Sequence, residues 1–484
     1  MKQIPGIKSE FLRVARALGA GLLVPLQALA RPGGGGGFHS GGHSGGFSGG
    51  SHGAAGGGHY GGVPYAGTGG SGSPGLMLVI LAIFLLFWLL SLYLRRKAAQ
   101  ADLEPAPGEP GLPDRARSGL EQLGQIDPEF STEGLDQRTI QLADILREAW
   151  CAGDMRPARA FVSDGVFCRY TTQLGLMHAA GQRNVMADAR ILAITVVGVE
   201  LAAPLEIIQL RVDAEARDCM VPLTATAEQI AADLRHAPKA PYSEIWSLVR
   251  RQGTLTKAGP ARIGNCPSCG APLGSGEVIQ CQYCHALVNS GAYDWVLAEI
   301  TQLSAWIPAR TGAIPGFHRL QAGDPGLAAE VLQDRVSYLF WKWIEACSKG
   351  SAVPLRKCSS AAFQGAIPPC PALHDVAVGG VQVVECLQAS EPGGMDRVYA
   401  KVFWSGASSP RQTGTFRVQV LQLVRRTGVH SDSSFSALLC HSCGAPLSAS
   451  DSDCCDHCHA QVATGDQSWI LDRVLAESRT DPID

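Results

Sequence analysis

Charge is scarce in this chain. Asp, Glu, Lys and Arg make up 17% of its 484 residues, against about 25% in an average globular protein. Between Arg31 and Leu94 the only charged side chain is Arg31 itself. A basic excess is missing too: 40 Lys and Arg stand against 43 Asp and Glu. The missing positive field argues against nucleic acid as the main partner. The glycines show no period of three, which excludes collagen, and 46% hydrophobic residues exclude a wholly disordered chain. Paired carboxylates, an activated Ser or Cys, a phosphate loop and a His-based metal site are all absent at recognisable spacing.

What is present is unevenly placed. Of 57 glycines, 22 fall between Gly33 and Gly75. Before them, Lys2, Lys8, Arg13 and Arg16 precede an apolar run, Ala17 to Leu29, that ends Ala28-Leu29-Ala30. A basic head, a short apolar stretch and a small-x-small exit read as a secretory signal peptide; a basic organelle-targeting presequence is the alternative. After the glycines, Leu76 to Leu94 is uncharged. At about 1.5 Å per residue it spans roughly 28 Å, the thickness of a bilayer core, so a transmembrane helix is expected. Arg95, Arg96 and Lys97 follow directly and place the rest of the chain in the cytoplasm by the positive-inside rule. The histidines of the glycine-rich arm, His39, His43, His52 and His59, read as part of a flexible linker.

Beyond the span the chain repeats itself. Cys266-Pro-Ser-Cys269-Gly-Ala-Pro-Leu returns as Cys440-His-Ser-Cys443-Gly-Ala-Pro-Leu, Cys281-x-x-Cys284-His-Ala as Cys455-x-x-Cys458-His-Ala, and Trp295 as Trp469, each 174 residues later. This is a duplication. Each set of four thiols, on two tight knuckles, suits a structural zinc ion with no open coordination position. Disulfides or redox CxxC pairs are the alternatives, which a cytoplasmic location disfavours. Cys454 and Cys455 are adjacent, and the 174-residue offset assigns the ligand place to Cys455. Cys151, Cys168 and Cys219 read as small core residues. Zinc ribbons often touch nucleic acid, but the spacers between these knuckles hold no Lys or Arg, and the second holds Asp451 and Asp453.

Upstream of each cysteine module, helical periodicity gives way to strands. In the first copy Leu142, Ile145, Leu146 and Ala149 share a helix face and a second helix starts near Pro157. Strands are expected at Ile191–Val199, Ile208–Glu215 and Tyr242–Arg250. In the second copy the helix runs through Leu332, Val336, Leu339, Phe340 and Trp343, with strands near 376–387, 397–404 and 416–424. Helices first and antiparallel strands afterwards give an α+β class, in which a curved sheet wraps helices and leaves room for a cavity. Asp154 after Trp150, and Glu244 beside Trp246, are candidates to line such a cavity. Their structural alternatives are a cap or salt link for Asp154 and a cross-sheet pair for Glu244.

The helix ending Ala149-Trp150-x3-Asp154, the Gly181-Gln-x-Asn184 approach and the closing strand Glu244-Ile-Trp246-Ser-Leu-Val-Arg250 resemble the TIM forty-four-like domain family, with bacterial membrane members. The resemblance implies a cone-shaped fold like nuclear transport factor two, with a hydrophobic pocket for lipid or protein. Trp150, Asp154, Glu244 and Trp246 are the pocket candidates. In the second copy Leu421 and Gln419 replace Trp246 and Glu244, and Asp154 has no evident counterpart.

The expected partition is a signal peptide at 1–30, a glycine-rich exported arm at 31–75, a transmembrane helix at 76–94 and a linker at 95–134. The first TIM forty-four-like domain follows at 135–260 and its zinc ribbon at 261–300. A linker at 301–325 leads to the second domain at 326–434, the second ribbon at 435–475 and a tail at 476–484. The expected protein is a single-pass, bacterial-type inner-membrane binding or scaffold protein that recruits membrane lipid or a membrane-associated protein. The alternatives are an enzyme using the first cone's pocket and a nucleic-acid-contacting ribbon protein.

Overall fold

The computed structural model describes residues 112–475, apart from 258–264, 274–278, 304–305, 307–313, 365–366, 368–372, 410–413, 432–434, 436–438, 441, 446 and 448–449. The expected signal peptide, glycine-rich arm, transmembrane segment and C-terminal tail lie outside the described residues. Among the described residues no helix is long and apolar enough to cross a membrane.

The chain is α+β, with two four-stranded antiparallel sheets. The first repeat comprises α1 (Leu112–Ile126), α2 (Thr132–Ala152), α3 (Asp164–Ala179), β1 (Gln182–Ala202), β2 (Leu205–Pro222), α4 (Ala227–His236), β3 (Lys239–Arg251) and β4 (Val296–Gln302). The second comprises α5 (Phe317–Gly323), α6 (Ala329–Lys349), the single turn α7 (Ala361–Gln364), β5 (His374–Leu387), β6 (Met395–Ala407), β7 (Thr415–Arg426) and β8 (Ile470–Leu475). Strands pair in chain order, β1 to β4 and β5 to β8. α2 starts where the Ser131 hydroxyl accepts the Gly134 amide and stops where Gly153 adopts a φ of 72°, the left-handed turn that glycine makes at least cost. Leu135, Leu142, Leu146, Ala149 and Trp150 form its buried stripe. They meet Leu210, Trp246 and Leu248 from the sheet in one core.

Two boundaries differ from the expected partition. Leu112–Ile126, assigned to a linker, is a helix whose Leu123 is fully buried in the first core; the prolines upstream hid its periodicity. The strands β4 and β8 come after the cysteine modules. Each ribbon is therefore an excursion between the third and fourth strands of one sheet, and does not trail a finished domain.

The excursion leaves and re-enters at a lock. Arg250, at the end of β3, donates from Nε to Glu206 Oε2 at 2.6 Å and from Nη1 to Asp127 Oδ2 at 2.8 Å. Its guanidinium lies 4.3 Å from the ring centroid of Trp295, the residue before β4. Burial alone would push the Asp127 carboxyl up, but the Thr256 and Arg250 hydrogen bonds win and hold it below its ordinary value. Arg138 of α2 grips the Trp295 carbonyl at 2.6 Å. The second repeat rebuilds the device: Arg425 to Asp324 at 2.8 Å, Arg425 over Trp469 at 4.5 Å, and Arg335 to the Trp469 carbonyl at 2.7 Å.

The repeats are not independent. α3 has 16 residues, whereas α7 at the same place in the second repeat has 4. α3 fills that gap. Val166, Phe167, Tyr170 and Leu174 belong to the first core, while Cys168 belongs to the second. Gln173 Nε2 donates to the Val376 carbonyl at 2.8 Å, and the Gly165 amide donates to Asp334 Oδ1 at 3.0 Å.

The Gly165–Asp334 contact generates two predictions. A Cβ on Gly165 would stand 2.3 Å from Asp334 Oδ1 and 2.8 Å from its carbonyl oxygen, so Gly165→Ala must push the repeats apart. We expect a loss of about 1–3 kcal/mol in chemical unfolding; an unchanged midpoint would contradict this packing. Burial, with the nearby Asp164 charge, pushes the Asp334 carboxyl from 3.8 up to about 8, against the Ser163 and Gly165 hydrogen bonds that lower it. A carboxyl raised on folding binds its proton more tightly in the folded state. Its contribution is therefore fully present below about pH 4 and is lost as pH climbs towards about 8. The melting temperature of Asp334→Asn relative to wild type should accordingly rise across that window, and a constant difference would refute the assignment.

Candidate metal centres

Each ribbon is built from two knuckles in which the backbone turns back on a cysteine. In the first, the Gly270 amide donates to the Cys266 carbonyl at 2.9 Å and the Cys266 amide to Ala271 at 2.7 Å. The second knuckle does the same through His285 and Cys281, at 2.9 Å, and through Cys281 and Ala286, at 2.9 Å. The turns demand positive φ, 77° at Gly270 and 59° at His285, repeated as 71° at Gly444 and 58° at His459. The two histidines are placed by this turn geometry and supply no ligand atom to the clusters.

The knuckles bring together Cys266, Cys269, Cys281 and Cys284, and separately Cys440, Cys443, Cys455 and Cys458, with all sulfurs of a set within 4.8 Å of one another. Cys266 and Cys284 sulfurs are 3.7 Å apart and Cys269 and Cys281 3.8 Å; the second set gives 3.6 Å for Cys440–Cys458 and 3.8 Å for Cys443–Cys455. A tetrahedron of sulfurs with bonds of about 2.3 Å to a central ion has edges of about 3.8 Å. The spacing fits a four-coordinate ion and is far too long for a disulfide. These are two tetra-cysteine clusters able to hold metal ions, with every position filled by protein.

The electrostatics point the same way. The Ala286 amide lowers the Cys284 thiol to about 6, and the Cys458 and His457 amides lower Cys455 to about 6. Cys269 accepts the Ala271 amide, yet the neighbouring Cys284 sulfur and burial push it up to about 11. Cys443, held likewise by Ala445 and crowded by Cys458, goes up to about 12. Four sulfurs this close cannot all carry charge by themselves. A divalent cation removes the conflict and releases the protons.

The remaining candidates are dispersed. Trp150 is 1% exposed and its indole donates to Asn184 Oδ1 at 3.0 Å, joining two of the three segments that suggested the family resemblance. Trp246 donates to Glu244 Oε2 at 3.0 Å, both residues being buried. Glu244 thus bonds along its own strand. Asp154 is half-buried and accepts the Arg156 amide at 3.0 Å and its guanidinium at 2.6 Å. It does have a counterpart: with Gly153 and Gly350 aligned as helix caps, Ser351 takes its place and accepts the Val353 amide at 3.3 Å. None of the four lines the cavity of about 80 Å³ that lies between the repeats. Its walls include Arg169, Glu200, Glu299, Glu330 and Asp334, and no sequence signal announced it, because its lining is drawn from seven separate helices and strands. Cys151, Cys168 and Cys219 stand outside both clusters.

The register in the second ribbon is decided by burial. Cys455 is fully buried within its cluster, whereas Cys454 turns its sulfur to Asp453 Oδ1 at 3.5 Å. Elemental analysis of the chain, purified under reducing conditions, should find about two metal ions. Cys454→Ser should retain both and Cys455→Ser should lose one; equal loss in the two variants would overturn this register.

No protein-family model and no curated protein matches the chain. Among solved structures, a protein described as "Ntf2 like protein involved in plasmid conjugation" aligns at 7% identity over 58% of this chain and 92% of that one, with a TM-score of 0.14. Likeness at that score carries no argument about this chain.

Proposed function

We propose that the chain is a membrane-anchored binding or scaffold protein that recruits a lipid or protein partner at the cytoplasmic face of a bacterial-type inner membrane. In this reading the two repeats are TIM forty-four-like cones, Leu76–Leu94 is the anchor behind a cleaved signal peptide, and the clusters hold structural zinc. The observation that carries the binding reading is how the conspicuous polar groups are used. All eight clustered sulfurs can be consumed in closed four-coordinate sites. Trp150 is bonded to Asn184, Trp246 to Glu244, and Asp154 to Arg156. Such groups serve the architecture.

The interior of the first cone is occupied by Trp150, Tyr170 and Trp246, each at most 3% exposed. Binding is therefore assigned to the polar cleft between the cones. A photoreactive residue replacing Gln333 or Val381 on the cleft wall should capture a protein or lipid in native membranes, identified by mass spectrometry. The same probe at an exposed site such as Glu228 should not. Equal capture at both sites, or none at the cleft, would overturn the assignment.

A further inference from the structure

The two ribbons meet the turn that follows the long helix by different chemistry, although the exit of the first is also held by the Arg138–Asp294 ion pair. Around the first, Ala160 and Tyr293 pack on an apolar cluster of Cys266, Cys281, Ala286 and Val288. The second is fastened by ion pairs: Lys357 Nζ lies 2.7 Å from Asp456 Oδ2, and Arg356 Nε lies 3.1 Å from Asp451 Oδ1. Asp456 stands inside the second knuckle, between Cys455 and Cys458. The matching residue of the first ribbon is Gln282. Counting from the shared helix caps Gly153 and Gly350, Lys357 corresponds to Ala160 and Arg356 to Arg159. Arg159 turns inward to a buried pair with Asp164. Among the described residues the first repeat therefore shows neither of these two contacts.

The Lys357 side chain is only 9% exposed, so its ammonium relies on a placed counter-charge. Asp456 is placed by the knuckle itself. The Cys455 amide donates to Ala460 at 2.8 Å, the His459 amide to Cys455 at 2.9 Å, and the Ser450 hydroxyl to Asp456 Oδ1 at 2.9 Å. On the other side, Lys357 adjoins Cys358, whose carbonyl accepts the Leu471 amide of β8 at 2.9 Å, while the Ser360 amide returns to the Leu471 carbonyl at 2.8 Å. Cys358 is 3% exposed and lies in the second core, which also contains Cys168 of α3. A single run of residues thus connects the metal knuckle to the last strand and to the core that the repeats share.

We propose that the second ribbon is a metal-responsive clamp: loading the Cys440–Cys443–Cys455–Cys458 cluster presents Asp456 to Lys357 and so holds the 353–360 turn closed over Cys358. This rests on the reading of the clusters as zinc sites. When the ion leaves, the knuckle loses its shape, Asp456 moves away from Lys357, and the turn opens. The first repeat, with Ala160 and Gln282 at these places, has no such response. The device makes the joint between the repeats sensitive to metal supply while the first ribbon remains purely structural.

The test follows alkylation of Cys358 in the full chain by peptide mass spectrometry, with zinc content measured in parallel. Wild type should label slowly when loaded and about tenfold faster after chelation, reversed by zinc alone. Asp456→Asn should keep two zinc ions yet label fast. Lys357→Met, which needs no counter-charge, should label slowly with or without chelator, showing that the response travels through this pair. Wild type that binds no zinc would overturn the metal reading and the clamp together. Zinc that is bound and then removed with no change at Cys358 would overturn the clamp alone, as would a Lys357→Met chain that responds like wild type.

Discussion

A buried guanidinium at the end of the third strand is what each repeat closes on. Arg250 and Arg425 are almost wholly removed from water, and each is held by a carboxylate from the segment before the long helix and by the face of a tryptophan that opens the fourth strand. Removing one partner of such a pair strands a buried charge at a cost of about 3–5 kcal/mol. Three distant parts of the chain are therefore joined at one point. That junction is what permits the ribbon. The sheet can release the chain after β3 and receive it again at β4 because both ends of the excursion are pinned independently of what lies between them.

The second constraint is the lopsided helix count. A repeat needs a helix after the long one to cover its sheet, and among the described residues the second copy has at that place the one-turn Ala361–Gln364. The first copy's α3 is buried on nearly every side, polar residues such as Arg169 and Gln173 included, and closes two cores at once. Gly165 marks where this sharing is tightest, since its bare backbone is what lets the Asp334 carboxylate approach the start of α3. The duplication has thus become a single cooperative body in which the copies are no longer interchangeable.

The same divergence shows at the metal centres. Both clusters have the same turns and nearly the same sulfur spacing. What differs is the contact at the turn after the long helix, where Ala160 packs on the first cluster and Arg356 and Lys357 pair with Asp451 and Asp456 of the second. Dispersion and burial respond little to small changes in placement, whereas an ion pair at low exposure depends on where its charges sit.

The sequence by itself determined the local and periodic features. The 174-residue repeat is read directly from the chain and assigns the ligand place to Cys455 over Cys454, while the four-sulfur spacing reflects short-range knuckle geometry that neighbours in the chain decide. Strand and helix types in the two repeats were legible for the same reason, since their apolar periods are local. Tertiary structure decided the rest. Leu112–Ile126 became part of the first core only because β1 offers it a surface. Trp150, Asp154, Glu244 and Trp246 looked like a pocket by residue type, yet packing of the helix on the sheet spent Trp150 on Asn184, while Asp154 took Arg156 and Glu244 took Trp246, each two residues away in the chain. The Arg250 lock, the shared α3 and the acidic cleft all join residues far apart in the chain. Contacts of that kind leave no period or motif behind, because their chemistry exists only once the two segments have met.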